Sequence, residues 1–413
     1  MDQHAHTIKH SIYFTYFWIT LLFGVYFYEF IGLKFVDELL EAILLVIFSI
    51  SFLLGKTEKL GRDIIIFIFA LFFYSFYSFY IHSNVTKGIL SDIIIQIKPF
   101  TAFFCFYYAK IQFNAEQKIK LKWTVYLLFL FSLYTVLEGA IKGDFQHTFM
   151  KYFAHESRFS TGLVVLALLY MYCTDLSKRH ILIFICMLTL GLLSAKGKFF
   201  GFYAASVMIM IFMNKEINLK FNLKTISTIL ALLLIVGWAA RDKILFYFVN
   251  FSIQDEDSLA RPMLYYVSFL ILLDYFPFGS GFASFATSSS GAYYSDIYQK
   301  YNIDQMWGLS KDDPMFVSDT HYPSLAQFGV IGIILFFAFW IRIVKQTNFL
   351  KSKTLNQKNY ILILLIIIFL GIELVADATF TYNRGFFVMM LMALLLNEMR
   401  FQSLSKNIKK IDV

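Results

Sequence analysis

Seven basic side chains lie next to apolar runs where the distribution of charge across a membrane would not require them. They are Arg158, Lys196, Lys198, Arg241, Lys243, Arg261 and Arg384. An arginine can hold a phosphate through two parallel hydrogen bonds, and a lysine serves as a compact positive charge. The group therefore suggests an anionic ligand, most simply a lipid-linked phosphate. The alternative is that each cation pairs with a nearby acid or reaches lipid headgroups.

A second candidate is the run Ser318-Asp319-Thr320-His321-Tyr322-Pro323. A histidine beside an aspartate can act as a general base near neutral pH. We expect His321, oriented by Asp319, to remove a proton from a hydroxyl group. A helix-capping or interfacial role is the alternative for His321.

The acidic run Asp255-Glu256-Asp257 has the Asp-x-Asp spacing that can hold a divalent metal on a sugar diphosphate. Three acids in a loop are more often a solvated surface, and we favour that interpretation. We therefore predict no metal site and no cofactor.

The composition of the chain indicates the kind of fold that positions these side chains. The chain of 413 residues is 59% hydrophobic and 15% charged, with a mean hydropathy of +0.64, which is too apolar for a soluble surface. We predict a single all-α polytopic membrane domain over 1–413 with about twelve spans. The predicted helices lie near 11–33, 37–55, 63–82, 92–113, 123–140, 160–175, 181–195, 199–213, 224–240, 324–342, 360–376 and 384–399.

Basic residues concentrate in alternate loops between these runs. The positive-inside rule therefore places both termini in the cytoplasm. The segment 241–323 becomes one long periplasmic loop, with a short helix at the outer interface over 263–273. The net charge of +8 forms no continuous basic face, so nucleic acid is not an expected partner.

These marks together resemble the bacterial O-antigen polymerase and O-antigen ligase superfamily. In order, the chain presents Arg158-Phe159-Ser160-Thr161-Gly162, the turn Ser194-Ala195-Lys196-Gly197-Lys198, Arg261, Pro277-Phe278-Gly279-Ser280-Gly281-Phe282, Asp319-Thr320-His321 and Gly329-Val330-Ile331-Gly332. The turn at Ser194 carries lysine where the family has arginine, which leaves open whether Lys196 or Lys198 takes that place.

The resemblance implies a glycosyltransferase C-like fold in the bacterial inner membrane, with the active site facing the periplasm. It implies an undecaprenyl-pyrophosphate-linked oligosaccharide as donor, with Arg261 and Arg158 on the pyrophosphate, Lys196 or Lys198 assisting, and His321 near the acceptor hydroxyl. No metal or nucleotide is needed. A chain-length regulator and a flippase are the implied protein partners.

Three functions remain open. A polymerase would transfer the glycan to another lipid-linked repeat unit, whereas a ligase would transfer it to lipid A core. The continuation Gln327-Phe328-Gly329 after His321 looks more like polymerases, so we favour a polymerase, with inversion at the anomeric carbon. A flippase for the same glycan is the third alternative, but transporters usually place binding groups at the bilayer midplane.

Overall fold

The computed structural model describes residues 2–32, 35–213, 256–354 and 356–411. Within these ranges the chain is helical and contains no strand. The longer helices, numbered here in chain order, are α1 (Asp2–Ile19), α2 (Val36–Leu53), α3 (Arg62–Tyr80), α4 (Thr86–Tyr108), α5 (Ala115–Lys142), α6 (Phe145–Phe153), α7 (Glu156–Cys173), α8 (Lys178–Gly191), α9 (Gly197–Met213), α10 (Glu256–Asp274), α11 (Gly329–Thr354), α12 (Gln357–Ala376) and α13 (Asn383–Ile411).

Six helical stretches of the described chain are long and apolar enough to cross a membrane: α3, α4, α5, α12, the Asn383–Ser405 part of α13, and Pro323–Thr354, which joins a 3-10 turn to α11. The chain is therefore a helical membrane protein. Eleven of the twelve predicted segments fall on helices, and the segment 224–240 lies outside the described residues. The count of twelve spans stays a prediction.

The centre of the bundle is formed by α7 and α13. Every side chain of α7 from Phe159 to Tyr172 is buried, and α13 is buried over most of its apolar length and packs along α4. In contrast, α3 exposes large rings such as Phe69, Phe72 and Phe76. Because lipid is as apolar as these rings, α3 is suited to the lipid-facing rim.

The described part of the predicted long loop is an ordered structure with its own hydrophobic core. The helix α10 is longer than the segment 263–273 predicted for it, and it contributes Leu264 and Ile271 to a cluster with Phe285 and Tyr298. Burying these side chains stabilises the loop by removing apolar area from water. The residues 241–255 of the loop lie outside the described part.

Two glycine turns attach this loop to the start of α11. Gly279 and Gly281 have φ of +81° and +84°, and the amide of Gly281 donates to the Gln327 carbonyl at 2.8 Å. A Cβ atom on Gly279 would lie 2.3 Å from the amide nitrogen of Gly329. Only glycine fits this close approach at positive φ. Two of the motifs used for the family resemblance therefore meet in space.

Candidate functional site

A cavity of about 910 Å³ opens among the N-terminal ends of α2, α7 and α13, the middle of α4 and the loop before α11. Its ionisable lining consists of Glu29, Asp37, Glu38, Lys98, His155, Arg158, Asp319, Asp377 and Arg384. Serine and threonine hydroxyls from α4, α7 and the loop complete the polar surface. We call this space the polar cavity. Two of the predicted basic residues, Arg158 and Arg384, line it from parts of the sequence that are more than 200 residues apart.

Two arginines approach the same tyrosine on the cavity wall. The guanidinium carbons of Arg158 and Arg384 lie 6.0 and 5.8 Å from the centre of the Tyr28 ring, and Arg384 donates to the Tyr28 hydroxyl at 3.4 Å. Each cation gains from the negative face of the ring. Both guanidinium groups therefore lie near one ring on the cavity wall.

The two arginines differ in their other partners. Arg158 forms an ion pair with Glu29. Arg384 is 5% exposed, and its Nε atom has no hydrogen-bond partner among the described residues. Its charge helps to lower the pKa of Asp377. A buried donor without an acceptor is costly. Arg384 is therefore the cation of the set best prepared to receive an anion.

The lysines at the start of α9 lie behind the wall of the polar cavity. Lys198 donates to Glu373 at 2.8 Å and also to Asp377, which lines the cavity. Lys196 pairs with Glu156 at 3.0 Å. Burial opposes ionisation of Asp377, but Lys198 outweighs it and holds the pKa of Asp377 below its usual value. Lys198 is therefore the lysine linked to the cavity.

Arg261 reaches the polar cavity through Asp319. Its Nε atom donates to Asp319 Oδ2 at 2.6 Å, and a second guanidinium nitrogen contacts the same oxygen. Burial raises the pKa of Asp319, while Arg261 acts in the opposite direction. Four of the five described cations are therefore paired with acids, as the alternative interpretation expected. Arg158 and Arg384 line the polar cavity, and Lys198 and Arg261 pair with acids that line it. Arg241 and Lys243 lie outside the described residues.

The structure places His321 away from these groups. Its side chain is 3% exposed and packs against Phe336 and Phe380, with ring centres 6.0 and 5.4 Å away. Burial lowers the pKa of His321 to about 4, so the ring is neutral at pH 7. It lines a separate apolar pocket. The expected His321–Asp319 pair is not formed, because Asp319 faces Arg261 instead.

No family model matches the chain, and no curated protein matches it. The interpretation of the polar cavity therefore depends on its own geometry.

The sequence analysis missed one lysine of the cavity, Lys98 on α4. It is 1% exposed and donates to Asp37 at 2.5 Å and to Glu38 at 2.8 Å. A charge inside a predicted span requires a partner. That rule, applied to Lys98 and to the acids at the start of α2, was the signal that could have found this cluster.

The acidic run Asp255-Glu256-Asp257 cannot be placed as a unit. Asp255 lies outside the described residues, and Glu256 and Asp257 are the first described residues of α10. The absence of a metal site stays a prediction.

Proposed function

We propose that the chain is a membrane glycosyltransferase that uses an undecaprenyl-pyrophosphate-linked glycan and acts in the polar cavity. The observation that carries the proposal is that Arg158 and Arg384 approach the same Tyr28 ring on the wall of the polar cavity. Two guanidinium groups lining one cavity suit the two phosphates of a diphosphate. A polar cavity in a lipid-embedded protein suits a substrate that combines a lipid chain with a charged head.

The proposed reaction needs one proton acceptor. The acceptor hydroxyl loses its proton as its oxygen bonds to the anomeric carbon, while the bond from that carbon to the phosphate oxygen breaks and its electron pair leaves with the diphosphate. Arg158 and Arg384 would stabilise the charge that develops on the leaving group. Attack opposite the leaving group inverts the anomeric centre.

We assign the proton acceptor to Asp319 in place of His321. Asp319 lines the polar cavity, whereas His321 lines the apolar pocket. A diphosphate that draws Arg261 away from Asp319 would leave that carboxylate free to accept the proton. The ion pair between Arg261 and Asp319 would then couple donor binding to activation of Asp319 as the base.

The preferred acceptor is another lipid-linked repeat unit, which makes the protein an O-antigen or capsular polysaccharide polymerase. The support is the resemblance in sequence, including the meeting of the Gly279–Gly281 turn with Gly329. The same proposal includes the glycosyltransferase C-like fold, about twelve spans, both termini in the cytoplasm, and the cavity facing the periplasm of a bacterial inner membrane.

The decisive experiment uses the purified protein in lipid nanodiscs with a lipid-pyrophosphate oligosaccharide. Product chains should lengthen with the wild type, and Arg384→Gln should abolish lengthening. The matched control is Lys142→Gln, which removes an exposed cation paired with Glu138 outside the cavity. Single transfer onto added lipid A core would instead support a ligase, and movement of donor across the membrane without any new glycosidic bond would support a flippase.

A further inference from the structure

A second cavity of about 250 Å³ lies between α3, α4 and α11 and is almost wholly apolar. Its lining includes Phe67, Ala70, Phe104, Leu335 and Phe339. This is the apolar pocket that His321 lines, and we call it the apolar slot from here on. It shares no lining residue with the polar cavity, because the two use different faces of α4.

The apolar slot is bounded on one side by the helix that faces lipid. Phe69, Phe72 and Phe76 of α3 are 71% to 75% exposed on its outer surface. Both α3 and α11 belong to candidate membrane spans. Hydrocarbon chains therefore surround this wall of the slot in a bilayer.

One end of the apolar slot is polar and basic. Arg342 lines it with a side chain 46% exposed, and Asp63 pairs with Arg342 at 3.1 Å and accepts from the Tyr108 hydroxyl. Arg62 precedes Asp63, and Lys345 follows Arg342 by three positions on the same helix face; both are exposed. We call Arg62, Arg342 and Lys345 the basic rim. Their three positive charges outnumber the single negative charge of Asp63.

The dimensions of the apolar slot fit one hydrocarbon chain. Gly332 and Arg342 both line it, and ten residues of helix extend about 15 Å. That length is half of the roughly 30 Å hydrocarbon core, the depth of one leaflet. The volume falls below the roughly 300 Å³ at which pockets for drug-sized ligands begin. A narrow apolar channel with a basic rim matches an acyl chain below an anionic headgroup.

We propose that the apolar slot binds one acyl chain of an anionic phospholipid, whose phosphate headgroup lies on the basic rim. This inference is independent of the proposed transferase activity. It also gives the buried, neutral His321 a place at the inner end of a lipid site, where an uncharged ring is required.

Trp340 lies next to the apolar slot, and its fluorescence can report on a lipid chain bound there. Its ring lies 5.4 Å from that of Phe339, which lines the slot, while Trp123 on α5 is 62% exposed to the surrounding lipid. Two single-tryptophan proteins, each with the other tryptophans changed to phenylalanine, are reconstituted with phosphatidylglycerol or phosphatidylcholine carrying brominated chains. Bromine quenches tryptophan fluorescence only at short range.

We expect brominated phosphatidylglycerol to quench Trp340 at a lower mole fraction than brominated phosphatidylcholine does. Each basic residue near a membrane surface contributes about 1 kcal/mol with anionic lipid, or roughly a fivefold preference. Trp123 lies beside Lys120 and Lys122 and reports the general enrichment of anionic lipid around the protein, so Trp340 should show the larger preference for phosphatidylglycerol. Equal quenching of Trp340 by both lipids would overturn the assignment of an anionic headgroup.

Variants separate the headgroup from the chain. Lys345→Gln, which removes one charge of the basic rim and leaves the Arg342–Asp63 pair in place, should reduce the preference by about fivefold. Lys353→Gln, on the same helix beyond the slot, should preserve it. Ala70→Phe should fill the slot and remove quenching of Trp340. Relief of quenching by equimolar undecaprenyl phosphate would instead identify the slot as the site of an isoprenoid tail and overturn the proposal.

Discussion

The guanidinium of Arg384 lies against the ring of Tyr28, 5.8 Å from its centre, across 356 residues of sequence. Arg158 approaches the same ring from α7. Tyr28 therefore contacts cations from two helices, α7 and α13, that are far apart in sequence. Its position explains why charges so distant in sequence converge on one cavity.

The first prediction concerns Arg384 and the binding of diphosphate. Arg384→Gln should weaken binding of a lipid diphosphate by about 10- to 150-fold, the value of one hydrogen bond to a charged group. Arg384→Lys keeps the charge but loses the planar fork, so it should also be impaired. Calorimetric titration with a short-chain prenyl pyrophosphate would measure both. Binding equal to that of Lys142→Gln would show that Arg384 is not a ligand.

The second prediction separates Arg261, Asp319 and His321. Arg261→Lys should weaken donor binding, because the bidentate contact is lost. Asp319→Asn should preserve donor binding and reduce turnover by on the order of 10² to 10⁴. His321→Ala should affect turnover less than Asp319→Asn does. A larger loss in His321→Ala, with the protein still folded, would restore the histidine as the base.

The third prediction concerns pH and His321. Its pKa is lowered from 6.5 to about 4 by burial, so between these values the unfolded chain binds a proton that the folded chain excludes. The free energy of unfolding should therefore fall as the pH falls through this window, by on the order of 3 kcal/mol in total. Above pH 6.5 this contribution is fully present.

Thermal unfolding in detergent from pH 7 to pH 4.5 would measure that dependence. His321→Gln should flatten the curve over this range, because the proton-linked group is gone. His147→Gln removes an exposed histidine on α6 and should leave the curve unchanged. A wild-type curve that is already flat would contradict the buried, neutral state of His321.

Much of the fold was predictable because apolar runs report spans directly. The runs identified helices at α3, α4, α5, α11, α12 and α13, since lipid requires the backbone to satisfy its own hydrogen bonds. The ordered core of the long loop was not predictable in this way. Its helix α10 packs on distant residues such as Phe285 and Tyr298, and such long-range packing leaves no local periodic signal.

The candidate site was predictable by residue type but not by pairing. Asp319 precedes His321 by only two positions, but the chain bends at both residues, so their side chains face different surfaces. Asp319 meets Arg261, 58 positions away, while His321 enters the apolar slot. The partner of a charge depends on tertiary structure. This is also why the sequence analysis did not predict the pair of Lys98 and Asp37.

The fourth prediction tests topology by labelling single cysteines at exposed positions. Asp312 in the long loop and Lys120 at the start of α5 are exposed and are changed to cysteine one at a time, in a background without Cys105, Cys173 and Cys186. Asp312→Cys should react with an impermeant reagent in intact cells, and Lys120→Cys only after the membrane is opened. The reverse pattern would invert the orientation and move the polar cavity to the cytoplasmic side.

The last prediction concerns the buried cluster of Lys98, Asp37 and Glu38. Lys98→Met should destabilise the protein by about 3 to 5 kcal/mol, because it leaves buried carboxylates without their counter-charge. The triple variant Asp37→Asn, Glu38→Gln, Lys98→Met removes those charges together and should recover much of the loss. Denaturation in mild detergent would measure both, with Lys142→Gln as the control for an exposed ion pair, which contributes about 0 to 1 kcal/mol.

If the triple variant recovers its stability but not its transferase activity, the cluster is needed in the polar cavity for more than folding. If Lys98→Met alone is as stable as the control, the pair is not buried in the way the structure places it, and Lys98 would instead be available to an anionic substrate.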